Sequence, residues 1–213
     1  GVETLVPESP RESGRLEFAV KDTEQYHVCF GAPGINRADD RRFALAVLDS
    51  ILGGSSSSRL FREVREKRGL AYSVGTYSEQ YTDTGMVATY VGTREDNVEE
   101  ACEVIGTELR RIQCEPVSAD ELDRAREHVK GRLVLSGEST AARMARIARA
   151  TLHDIPLLTL DEMLARVDSV SVDDVSNLAT ELFAEARLSA AAVGRDEARF
   201  RAATAPVCES LAT

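Results

Sequence analysis

Apolar residues follow two rhythms along this chain. From 15 to 22 (RLEFAVKD), Leu16, Phe18 and Val20 alternate with polar neighbours, the period of a half-buried strand. EQYHVCFGAPG repeats the alternation with Tyr26, Val28 and Phe30, and Gly31, Pro33 and Gly34 are read as its end. The short polar link KDTE between the two runs predicts an antiparallel hairpin. Residues 39–52 (DDRRFALAVLDSIL) change to helical spacing. Phe43, Val47 and Ile51 share a face that Leu45, Leu48 and Leu52 widen, and Gly53 and Gly54 stop the helix.

The serines after Gly54 offer an N-cap for a second, shorter helix over about 58–68. In it Leu60, Phe61 and Val64 are predicted to face inward, Glu63 and Lys67 form an i,i+4 pair, and Gly69 ends the turn. Residues 70–92 read as two strands joined by a polar turn at TDTG. Helix returns over 94–113, where Val98, Cys102, Ile105, Leu109 and Ile112 hold one face. Ser118 with Glu121, Thr159 with Glu162 and Ser171 with Asp174 have the spacing of capping boxes, the last weaker for its shorter acid. Another helix is predicted over about 140–152, and a last strand over 187–194. Strands adjacent in sequence and helices in groups indicate an α+β, two-layer α/β sandwich: an antiparallel-rich mixed sheet with helices on one face.

Composition narrows the function classes. A net charge of −10 argues against nucleic acid and anionic membrane as partners. No apolar run approaches the length of a membrane span. Residues 1–14, rich in Pro, Ser and Glu, lack the basic start and apolar core of a signal peptide and read as a linker. The expected division is therefore a linker over 1–14 and one domain over 15–213, in a cytoplasmic protein. Cys29, Cys102, Cys114 and Cys208 form no close pair, and Cys102 on a helix's apolar face is read as a small buried hydrophobe.

Candidate chemistry is sparse. His27, His128 and His153 are far apart in sequence, and no His-Glu-x-x-His or inverted arrangement occurs, so this chain is expected to hold no metal. His27 falls opposite in phase to Tyr26 and Val28, toward solvent. The acidic residues between 95 and 108 are read as a solvated helix face. The glycines match neither phosphate-loop pattern. Arg65 and Tyr72 remain, one at the end of a short helix and one at the start of the next strand. An Arg there can project its guanidinium past the helix, and Gly69 permits a reversal that brings the Tyr hydroxyl to the same point. Two such donors can stabilise an oxyanion; equally, Arg65 can simply complement a helix C-terminus and Tyr72 fill a strand position.

The stretch Leu52-Gly53-Gly54, Ser57-Ser58-Arg59-Leu60-Phe61 and Arg65-Glu66-Lys67-Arg68-Gly69-Leu70-Ala71-Tyr72-Ser73-Val74 resembles the C-terminal half of the pitrilysin/insulinase-like zinc metallopeptidases, which include mitochondrial processing peptidase. The resemblance implies a clamshell endopeptidase of two similar halves. One holds zinc through His-x-x-Glu-His and a distant Glu; the other, without zinc, supplies an Arg and a Tyr, here Arg65 and Tyr72 as catalytic residues. Zinc would be bound by the other half and none by this chain. The implied partners are an N-terminal zinc-bearing half or subunit and a peptide substrate, with a homodimer of the isolated half as a further expectation. This chain alone is expected to be inactive. A non-catalytic scaffold of the same fold is the alternative.

Overall fold

The computed structural model describes residues 14–208 and Leu211, so the linker expected over 1–14 lies, save for Gly14, outside the described residues. Five strands form one sheet: β1 (Leu16–Val20), β2 (Tyr26–Gly34), β3 (Ala71–Gln80), β4 (Gly85–Thr93) and β5 (Ser189–Gly194). Their spatial order is β1-β5-β2-β4-β3; β1 and β5 run parallel and every other pairing is antiparallel. This is the mixed, antiparallel-rich sheet the pattern indicates.

The hairpin expected at KDTE does not form. β5 lies between β1 and β2, with Phe18 opposite Ala192 on one side and Val28 opposite Ala192 on the other. The reason is packing: β5 (SAAAVG) has alanines on its core face, Ala190 and Ala192, narrow enough to lie between Phe18 on one neighbour and Val28 and Phe30 on the other. β2 also runs past Gly31 to Gly34. Pro33 lies beyond the last β5 partner, Ser189 opposite Gly31, where one edge of β2 has no neighbouring strand and a proline is tolerated. The β3–β4 hairpin turns at TDTG as expected.

Tyr26, Val28, Phe30 and Ala32 on β2, with Val87 and Val91 on β4, face a helical layer. The helices are α1 (Arg42–Leu52), α2 (Val98–Cys114), α3 (Ala119–Glu138), α4 (Thr140–Leu152), α5 (Leu160–Asp168), α6 (Val172–Leu182) and α7 (Glu197–Thr204); α1, α2, α6 and α7 make the main contacts with the sheet, and α3 to α5 pack on α1 and on one another. α1 buries Val47, Leu48 and Ile51, and α2 buries the Val98, Cys102, Ile105, Leu109, Ile112 stripe. Burial pushes the Cys102 thiol up to about 12, so it acts as the small hydrophobe its position suggests. No helix among the described residues is long and apolar enough to cross a membrane.

The boxes at Thr159/Glu162 and Ser171/Asp174 are complete, the aspartate reaching its N-cap amide at 2.8 Å. Ser118 accepts from the Glu121 amide, but the Glu121 carboxylate turns to Arg59. Ser139, not singled out from the sequence, caps α4 through the Ala142 amide.

The insertion of β5 makes a testable statement. Ala192 is 6% exposed and faces the core between two strands. Ala192→Leu should overpack it and cost about 1–3 kcal/mol in urea unfolding; a change below a few tenths would contradict this strand order.

Candidate functional site

Residues 52–72 form one continuous segment between α1 and β3. α1 ends at Leu52, and Gly53 passes so close to β3 that a Cβ there would lie 2.4 Å from the Thr76 amide nitrogen. The backbone amides of Gly53 and Gly54 both donate to the Asp49 carbonyl, which also accepts from the Thr76 hydroxyl. This cross-tie joins the end of α1 to β3 and fixes where the serine loop begins.

Ser58, buried, accepts from the Phe61 amide at 3.4 Å, so the serine run does supply the cap. The helix that follows is not a regular α-helix. Phe61–Glu66 is a π-helical turn, closed by the Lys67 amide donating to the Arg62 carbonyl five residues back at 2.9 Å. Leu60 and Val64 are fully buried as expected. Phe61, expected inward, is half-buried: its ring lies against Arg65, with the guanidinium carbon 4.8 Å from the ring centre. The Glu63–Lys67 pair forms at 2.5 Å, and Arg68 joins it at 2.7 Å.

Gly69 has φ +62°, the left-handed region, and reverses the chain. The Leu70 carbonyl is held by the Thr93 hydroxyl at 2.7 Å and by the Asn97 amide at 3.2 Å. Ala71 then pairs with Thr93, and Ser73 with the next residue on β4, Gly92. Tyr72 is the extra residue of a β-bulge, which leaves both Tyr72 and Ser73 facing away from the core.

A π-turn and a bulge, one extra residue each, thus bring Arg65 and Tyr72 together. The Arg65 guanidinium stacks over the Tyr72 ring at 4.2 Å, with Phe61 as its other aromatic neighbour. Arg65 Nη1 donates to the Tyr72 carbonyl at 3.1 Å, and its other donors have no partner among the described residues. The Tyr72 side chain is 78% exposed. The geometry differs from a simple meeting of guanidinium and hydroxyl: the ring face holds the guanidinium, and the phenol projects beyond it. Arg65 is half-buried and orientationally fixed; Tyr72 is presented.

The pair stands beside the uncovered face of the sheet. On that face His27, as expected, is exposed, and its Nδ1 lies 2.7 Å from the Tyr90 hydroxyl. Further along, Cys29, Gly31, Pro33, Tyr77, Met86 and Ala88 line an apolar groove of about 740 Å³. Burial pushes the Cys29 thiol up, against a smaller lowering from its hydrogen bond with Tyr77.

The resemblance implies a zinc ion, and this chain's residues do not fit one. His27 is engaged with Tyr90, His153 Nδ1 with the Thr82 hydroxyl, and His128 lies on α3. Among the described residues no three His, Cys, Asp or Glu gather as a ligand set. The acidic run on α2 is not wholly solvated: Glu108 is 3% exposed and bonds Arg111 at 2.9 Å.

Behind the π-turn, Arg59 forms a two-pronged ion pair with Glu121, both contacts 2.8 Å. Burial favours protonation of Glu121, but the hydrogen bonds and charge of Arg59 outweigh it and hold the carboxyl below its ordinary value.

A side chain at Gly69 meets nothing within 4 Å, so Gly69→Ala is penalised by its φ alone, about 1 kcal/mol in chemical unfolding, and should shift the Tyr72 ring resonances. Glu121 has a lowered folded pKa, so its stabilisation is complete above its ordinary value of 4.5 and lost as pH falls through the lower folded value. Asp39, Glu63, Glu162 and Asp174, also lowered, act in the same sense. Acid should therefore weaken the fold below about pH 4.5, and Glu121→Gln should reduce, not abolish, that slope in unfolding titrations.

Comparison with known proteins agrees with the resemblance. The profile described as "Peptidase M16 inactive domain" matches residues 3–129. An uncharacterized zinc protease of Streptomyces coelicolor is 42% identical over 172 residues, covering 81% of this chain and 38% of that protein. Another from Bacillus subtilis is 40% identical over 165 residues, covering 78% and 40%. The chain thus spans about two-fifths of the length of these relatives. In fold, it superposes with a TM-score of 0.79 on the peptidase M16 inactive domain from Pseudomonas fluorescens, 22% identical, covering 86% of this chain and 44% of that one. A Helicobacter pylori protease gives the same score at 20% identity, covering 86% and 45%. From its central motif to its sheet, the chain belongs to the peptidase M16 family, as the inactive, C-terminal domain.

Proposed function

We propose that this chain is the zinc-free half of a zinc endopeptidase, working with an N-terminal zinc-bearing half that closes over it. The observation that carries the reading is the Arg65–Tyr72 stack: a fixed guanidinium with donors to spare beside a presented phenol, at the rim of an uncovered sheet face. Both groups are suited to a peptide whose carbonyl gains negative charge. Arg65 offers a planar fork of N–H donors held by two rings, so little reorganisation accompanies the reaction. Tyr72 offers an O–H at the end of a rigid ring, free to meet a backbone oxygen. A well-placed donor of this kind contributes roughly 3–4 kcal/mol to transition-state binding.

The apolar groove on the same face supplies a wall against which a peptide's side chains lie while its backbone is held. Zinc, where the family's chemistry calls for it, would be held by the other half. Closure of the two halves would exclude water around the pair and bring it to the reacting carbonyl. A soluble, cytoplasmic setting, and a homodimer of the isolated half through its uncovered face, complete the proposal.

The second reading is a scaffold subunit of the same fold. It requires no presented phenol: a Tyr 78% exposed on a bulge adds nothing to the core. The discriminating experiment mixes this chain with a zinc-bearing half and follows cleavage of a quenched fluorescent peptide. Arg65→Ala and Tyr72→Phe should each lower turnover about tenfold or more while the complex still forms. Unchanged turnover with both variants would favour the scaffold.

A further inference from the structure

We infer that Arg59 and Glu121 are positioning residues for Arg65, an inference that rests on the reading of Arg65 as a substrate contact. The π-turn carrying Arg65 begins two residues after Arg59. From there Arg59 reaches the first turn of α3, its Nε and Nη2 each 2.8 Å from one oxygen of Glu121. The side chains are 13% and 22% exposed, so this pair is shielded from solvent and salt, unlike a surface ion pair. At the other end of the turn, Glu63, 16% exposed, gathers Lys67 and Arg68, and Arg68 also donates to the Glu63 carbonyl. The π-turn is therefore clasped to α3 at its start and to its own exit at its end. Arg65 lies between the clasps, against Phe61 and Tyr72.

Two features mark the Arg59–Glu121 pair as geometric in purpose. Shielded ion pairs gain little net stability over apolar packing, whereas a two-pronged fork fixes distance and orientation together. Glu121 also occupies the position from which a capping-box acid reaches back to its N-cap, as Glu162 and Asp174 do. Here both carboxylate oxygens take the Arg59 fork, and the interaction with the Ser118 backbone is the minor one. A π-turn is a rare, single-turn departure from α-helix. Without a tether at its start it can relax to α-helical spacing, which removes the extra residue and rotates Arg65 by about 100° about the helix axis, off Tyr72.

The test uses this chain paired with a zinc-bearing half. Glu121→Gln and Arg59→Lys should each lower kcat about fivefold or more with KM changed less than about twofold, because misplacement by an ångström costs up to about a hundredfold in rate. In an Arg65→Ala background neither should lower kcat further, since both act through that side chain. The exchanged pair, Arg59→Glu with Glu121→Arg, should recover part of the loss. A further loss in the Arg65→Ala background, or full activity in both single variants while Arg65→Ala is impaired, overturns the inference. Nitrogen-15 labelling of arginine in the same paired enzyme gives a readout independent of turnover: the Arg65 Nε–H resonance should move in Glu121→Gln. If Arg65→Ala proves fully active, the reading of Arg65 as a substrate contact fails, and this resonance alone decides the clasp, displacement supporting it and an unmoved peak overturning it. If Glu121→Gln unfolds, Arg59→Lys carries both measurements.

Discussion

Tyr26, Val28, Phe30 and Ala32 on β2 point into the helical layer, while His27, Cys29, Gly31 and Pro33 point the other way. This one-sided burial is the constraint on which the rest depends. Among the described residues the helices lie on a single side of the sheet, α1, α2, α6 and α7 against it and α3 to α5 packed on those, which leaves the other side to be covered by something else or to face a chamber. Residues on the open side are accordingly small or amphipathic: Gly31, Ala88 and Cys29 form a floor, and Tyr77 and Met86 rise from it. The Arg65–Tyr72 pair sits at the margin of that side because β3 is an edge strand and the π-turn packs at its start.

Local patterns made much of this legible. α1, the β3–β4 hairpin and α2 were readable because apolar spacing within each element decides which face is buried. The caps at Thr159 and Ser171 were readable because donor and acceptor lie three residues apart. The pairing of β1 was not, because its partner lies 174 residues away and nothing in KDTE excludes a hairpin. Glu108 was misread with its acidic neighbours because its burial depends on Arg111 and on elements packed against α2.

The site divides in the same manner. Arg65 and Tyr72 could be picked out, and so could Gly69, since a reversal between them needs a left-handed residue. Their mutual geometry could not. It arises from two irregularities, the π-turn and the bulge, which local propensity does not encode. Phe61 shows the cost of assuming ideal helix: α-helical phase sends it to the core, whereas the π-turn sets it against a guanidinium. Arg59 and Glu121 carry no signal as a pair in sequence, being 62 residues apart.

The late strand has a consequence for biogenesis. During synthesis, β2, β3 and β4 can assemble once residue 93 has emerged, but the flank of β2 stays bare until Ser189–Gly194 appears, and β1 has no neighbour at all. Helices α2 to α6 are made in that interval, and an unpaired strand flank invites intermolecular pairing. Closure-last assembly is thereby built into the topology.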